Sequence, residues 1–176
     1  MNKLKKTSVT ALGMGFLLAF VSCSKSTSGY PDQPKEVLNA FLQADAQAAG
    51  LSTSTWPEVA LYTTWKKAPS WDKFVVISGY EVGDVRTAST RAQIPVTYHK
   101  LGSMSATFVP GPGVEQVTFY LNKVDGQWKV DLPELAPHVT ADVIRRRLNA
   151  ASTTDPKTKA ANDALISQIG AVEQRR

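Results

Sequence analysis

The chain has 176 residues, 43% of them hydrophobic, with 20 Lys and Arg against 15 Asp and Glu for a formal net charge of +5. A single cysteine excludes an internal disulfide, and two histidines with neither a Cys partner nor ligand spacing argue against a metal site. Neither a basic stripe nor a recognisable module supports nucleic-acid binding, and no cofactor is expected.

At the start of the chain, Lys3, Lys5 and Lys6 precede an uncharged apolar run from Ala11 to Val21, which ends at Ser22 and Cys23. Positive, apolar and small-residue zones in that order predict an export signal over residues 1–22. The apolar run is about half of the roughly 20 residues that a membrane-crossing helix needs, which favours a cleaved signal over a permanent span.

The residues Phe20-Val21-Ser22-Cys23 resemble the lipobox of bacterial lipoproteins, although Phe20 stands where Leu is usual. The resemblance implies that the Cys23 thiol receives a diacylglyceryl group and that cleavage leaves Cys23 as the first mature residue. The expected partner is therefore a membrane and the expected location the cell envelope. In a cell with two membranes, Ser24 in place of an aspartate implies the periplasmic face of the outer one. Each buried methylene contributes roughly 0.8 kcal/mol, so two or more acyl chains hold a protein firmly. Removing the signal takes away three cations and leaves 17 against 15, a net charge of +2.

Residues 23–33 are rich in small, polar and turn-forming residues and read as a flexible tether. The remaining length of about 140 residues suits one core, with a domain over 34–150 and a C-terminal helical extension over 151–176. Val37, Leu38, Phe41, Leu42 and Ala48 predict the apolar side of a first helix, with Lys35, Glu36, Asn39, Gln43 and Asp45 largely opposite. Pro34 suits its first turn and Gly50 its end. Thr55-Trp56-Pro57-Glu58 matches a capping box for a second helix reaching about Lys67.

From Lys73 onward the period becomes two. Phe74 to Tyr80 is β-rich; Ala92, Ile94, Val96 and Tyr98 alternate with polar residues, as do Val117, Phe119 and Leu121, and then Trp128, Val130 and Leu132. Asp125-Gly126 predicts a tight hairpin between the last two runs, so the strands form an antiparallel sheet. Pro95 predicts an edge or a bulge. Gly102-Ser103 and Pro110 to Gly113 predict a long loop between the second and third strands.

A helix from about Thr140 to Ala150 follows, with Thr140 as cap and Asp142 near its positive end. Asp155-Pro156 opens a last helix whose Ala161, Leu165, Ile169 and Val172 share one side. The expected fold is thus α+β: N-terminal helices on a curved antiparallel sheet of about four strands, followed by C-terminal helices.

That order, together with the late hairpin Leu121 to Val130 and its Asp125-Gly126 and Trp128-Lys129-Val130 pattern, resembles the nuclear transport factor 2-like, or cystatin-like, superfamily over roughly residues 34–132. The resemblance implies a sheet curled around a helix to leave a conical cavity, used variously for ligands, for catalysis or only for packing. Fold alone does not choose among these.

No catalytic residue is carried over. Tyr98 and Tyr80 are the polar candidates for the cavity, and Trp56, Trp65 and Trp71 for ligand or partner contact at its mouth. Each has a plainer alternative, since the tyrosines pack in a core and the tryptophans close its end. His99 and His138 read as surface or turn residues, Asp131 as a solvated carboxylate, and Arg145-Arg146-Arg147 as a solvated helix face. The reading is a lipid-anchored envelope domain that binds a small apolar ligand or an envelope protein without chemistry. The alternative is an enzyme of the superfamily acting on a small apolar substrate.

Overall fold

The structure, a computed structural model, describes residues 29–131, 135–151 and 155–175. Cys23, the signal, most of the tether and Leu132 lie outside them. Helix α1 spans Pro34–Ala46 and α2 Trp56–Ala60, with a short 3-10 turn at Ala49–Leu51 between them. Six strands follow: β1 (Phe74–Val82), β2 (Arg86–Ala88), β3 (Arg91–Met104), β4 (Phe108–Val124), β5 (Gln127–Val130) and β6 (His138–Thr140). Helices α3 (Ala141–Ala150) and α4 (Pro156–Glu173) close the chain.

The α+β class is as expected, but the sheet has six strands rather than four and is mixed rather than antiparallel. Its order is β5-β4-β3-β1-β6, with β2 also paired to β3. β6 runs parallel to β1, Val75 opposite His138 and Ile77 opposite Thr140. The helix–strand sequence around Pro137 gives no apolar alternation long enough to announce a three-residue strand, and only the exposed edge of β1 makes it one.

Two further expectations are corrected. Pro110 to Gly113 is not a loop but part of the 17-residue β4, with Pro110 paired to Gly102 and Gly113 to Lys100 across a register shift. The turn is only Ser105 to Thr107, closed by Ser105 N–H donating to the Thr107 carbonyl at 3.1 Å. Pro95 lies in the middle of β3 rather than on an edge strand. In an antiparallel strand the N–H and C=O of one residue point to the same side. The Pro95 carbonyl accepts from Gly83 N–H at 2.8 Å, so its missing N–H faces the gap where β1 has ended and β2 has not begun.

Asp125 and Gly126 both take positive φ, 50° and 83°, as the predicted hairpin requires. Helix α2 is a single turn and stops well short of Lys67. The capping box is not formed: the Thr55 hydroxyl donates to the Ala49 carbonyl at 2.7 Å, tying α2 to the 3-10 turn instead. Asp155 does cap α4, accepting from Lys157 and Thr158 N–H.

Two apolar cores result. The first joins Val37, Leu38, Phe41 and Leu42 of α1 to Ile94, Val96, Phe119 and Leu121 of the sheet. The second joins Val76, Leu101, Met104 and Phe108 to Ile144 of α3 and to Ile169 and Val172 of α4. Val76 and Ile77 are neighbours that serve different cores, as alternation across a strand dictates. Helix α4 therefore packs on the domain.

Candidate functional site

Where α1 ends against β6, the first core becomes polar. Asp45, expected on the wet side of α1, is 7% exposed, and its Oδ2 accepts the backbone N–H of His138 at 2.9 Å. It lies one helical turn beyond Phe41 and two beyond Leu38, so it continues the buried stripe. Burial raises its carboxyl to about pH 7, with the His138 N–H pulling the other way.

His138, expected at the surface, is 1% exposed. Its placement in β6 turns the imidazole inward, where it stacks on Tyr98 with ring centroids 3.9 Å apart. Its Nε2 lies 3.7 Å from Glu115 Oε1 of β4, within the reach of charge but beyond a hydrogen bond. Burial lowers its pKa to about 4, opposed by Glu115. Glu115 Oε2 in turn pairs with Lys100 of β3 at 3.1 Å. A polar file thus runs Lys100, Glu115, His138, Asp45 from solvent to the interior.

Tyr80 and Tyr98 are brought together as the matching register required: they are paired across β1 and β3, with rings 6.2 Å apart. Burial raises both hydroxyls, with Asp45 adding to each shift. Tyr98 is 1% exposed, and neither ring lines any of five surface concavities formed by the described residues. Phe41 of α1 meets the rings of both Trp65 and Phe119, with centroids 6.1 and 5.8 Å away.

The tryptophans divide. Trp56 and Trp65 stack with planes 2° apart and lean on the first core, Trp65 meeting Phe41 edge-on. Trp71 lines a separate concavity beside Leu51 and Ala68. Asp131 accepts from Thr64 Oγ1 at 2.8 Å and from Asn122 Nδ2, which binds the segment after α2 to the last hairpin. The three arginines are not merely solvated: Arg145 pairs with Glu173 and Asp142, both at 2.6 Å, Arg146 reaches Gln47, and Arg147 donates to the carbonyls of Gln47 and Ala48 at the end of α1. Such guanidinium contacts satisfy carbonyls that a helix C-terminus leaves open.

A concavity of about 360 Å³ opens between the start of β1 and the far end of the β3–β4 hairpin. Lys73, Lys100 and Ser103 line it together with Phe74, Val75 and Val109, and no carboxylate among the described residues does. Lys100 is also the outer member of the polar file. A second recess of about 330 Å³, between α3, α4 and the sheet, is almost wholly apolar.

Comparison with known protein families, with curated proteins and with solved structures finds no match. Among the described residues no group of three or more His, Cys, Asp or Glu is placed to hold a metal ion.

Sequence reasoning missed Asp45, His138, Glu115, Lys100 and Lys73. Asp45 could have been found from its spacing to Leu38 and Phe41. The others come from four separate strands or strand ends, and no local pattern joins them.

Proposed function

We propose that this chain is a lipid-anchored cell-envelope protein whose α+β domain binds a small ligand without transforming it. The anchor rests on Phe20 to Cys23; the described end of the expected tether is docked rather than free, since Tyr30 packs against the first core and donates its hydroxyl to the Trp128 carbonyl. The periplasmic face of an outer membrane is the proposed site in a cell with two membranes, on the strength of Ser24. Kinship with the nuclear transport factor 2-like superfamily is part of the same reading, supported by α1 lying across a curled sheet and set against by the parallel β6 and by α3 and α4 on the second core.

The observation that carries the binding reading is the contrast between the two polar regions. Asp45, Tyr98 and His138, the groups suited to acid–base work, are 7%, 1% and 1% exposed and lie in packed surroundings. The open concavity offers two cations, a hydroxyl and apolar walls, which suit recognition rather than proton transfer.

A second reading, docking of an envelope protein, is favoured by β4, whose Val109, Val114 and Tyr120 are 56%, 62% and 44% exposed. Native mass spectrometry of protein extracted gently from the envelope separates the two. A reproducible small adduct supports the ligand reading, whereas a co-purifying polypeptide and no adduct supports docking. For the anchor, Cys23→Ser is expected to lose the lipid mass and leave the membrane fraction. Membrane retention of that variant without lipid would remove the lipoprotein reading.

A further inference from the structure

The concavity between β1 and the β3–β4 hairpin has a chemical character that narrows its ligand. Lys73 makes no hydrogen bond or ion pair among the described residues, and Lys100 has one ionic partner, Glu115. Lys73 and Lys100 both line the recess, and among the described residues the one carboxylate paired with either is Glu115, on Lys100 and outside the lining, so a displaced Glu115 leaves the recess positive. Phe74, Val75 and Val109 supply walls that a fully hydrated dianion gains nothing from, but that an alkyl chain does.

Glu115 is held between two positions. Its Oε2 pairs with Lys100 at 3.1 Å while Oε1 stands 3.7 Å from His138 Nε2, and that nitrogen has no hydrogen-bond partner among the described residues. With its proton on Nε2, His138 would offer Glu115 a hydrogen bond that the present arrangement lacks, so a shift of Glu115 toward His138 is repaid. The same shift releases Lys100 to another anion.

We propose that this concavity binds a small monocarboxylate with a short apolar tail, held by Lys73 and Lys100 and admitted when Glu115 gives up Lys100 for His138. The inference deepens the ligand-binding reading and is independent of the lipid anchor. A shallow open site with one exposed and one half-buried lysine suits an affinity on the order of 1 mM for a minimal ligand.

The test is a titration of the full chain, in a neutral detergent, with hexanoate, hexanamide and inorganic phosphate, followed through the backbone amides of Gly102, Ser103 and Gly111. Hexanoate is expected to shift these amides saturably, and hexanamide and phosphate at least tenfold more weakly. Lys73→Met and Lys100→Met are each expected to weaken hexanoate about tenfold, as the loss of one charge-assisted contact implies, and Glu115→Gln to strengthen it several-fold. An unchanged urea midpoint certifies each variant as folded. Equal binding of hexanamide, indifference to both lysine variants, or weakening by Glu115→Gln would each overturn the proposal. If gently extracted protein carries a ligand whose signals map away from Gly102, this site fails while the binding reading stands. If it carries none and hexanoate does not bind either, both fail.

Discussion

Tyr98 and His138 lie face to face, ring centroids 3.9 Å apart and planes 17° apart, each 1% exposed. Two strands that never pair with each other, β3 and β6, meet through these rings across β1. The backbone N–H of His138 is meanwhile held by Asp45, so one buried contact joins α1, β3 and β6 and brings a carboxyl and an imidazole with perturbed ionisation into the same core.

Asp45 makes stability depend on pH in a defined direction. Its carboxyl is raised by burial from 3.8 to about 7, so the folded state holds a proton that the unfolded chain releases. Its contribution is complete below about pH 4 and is lost as pH rises through 7, at most about 1.4 kcal/mol per pH unit. Asp45→Asn keeps an acceptor for His138 N–H and removes that loss. Urea midpoints of the variant and wild type are expected to diverge in the variant's favour between pH 5 and pH 8; parallel midpoints would contradict the buried-acid assignment.

His138 acts with the opposite sign. Burial lowers its pKa from 6.5 to about 4, so its contribution is present above pH 6.5 and is lost as pH falls through 4. Between these values it opposes Asp45, and the wild type is expected to be nearly flat. His138→Phe preserves a ring against Tyr98 while removing the titration, so its stability should fall steadily from pH 4 to 7. A flat profile for this variant means that the two groups do not offset each other.

Gly102 is required by contact rather than by dihedral. A Cβ there would lie 2.3 Å from the Val109 carbonyl oxygen and 2.8 Å from the Phe108 ring, so the β3–β4 hairpin would have to part. Gly102→Ala is expected to cost about 1–3 kcal/mol or more by urea denaturation. Gly79→Ala, with nothing within 4 Å, serves as the control and should change stability far less.

Helix α4 is tied to the domain by Ile169, which is fully buried in the second core, and by the Arg145–Glu173 pair at 2.6 Å. Ile169→Ala is expected to cost about 2–5 kcal/mol. Arg145→Ala, which breaks a partly exposed pair, is expected to cost about 1 kcal/mol or less. Amide exchange in α4 should report both, and equal protection in Ile169→Ala and wild type would mean that α4 is held by something other than this core.

Much of the element order was legible because its signals are local. Pro34 and Pro156 mark helix starts, Asp125-Gly126 has the residues a positive-φ turn needs, and Ala92 to Tyr98 alternates because one side of a strand is buried. The Pro110 to Gly113 segment was misread for the opposite reason. Proline and glycine are local turn formers, but here a 13-residue ladder with β3 holds them extended.

The sequence by itself determined the export signal and lipobox as expectations, the α+β class, and the helix and hairpin positions, all of which depend on residues a few places apart. Tertiary structure alone decided that the sheet is mixed, that α4 joins the core, and that Asp45, His138 and Glu115 meet. These rest on chain segments far apart in sequence, 93 residues in the case of Asp45 and His138. Such contacts are set by which faces remain to be buried once every local element has formed, and no periodicity along the chain encodes that choice.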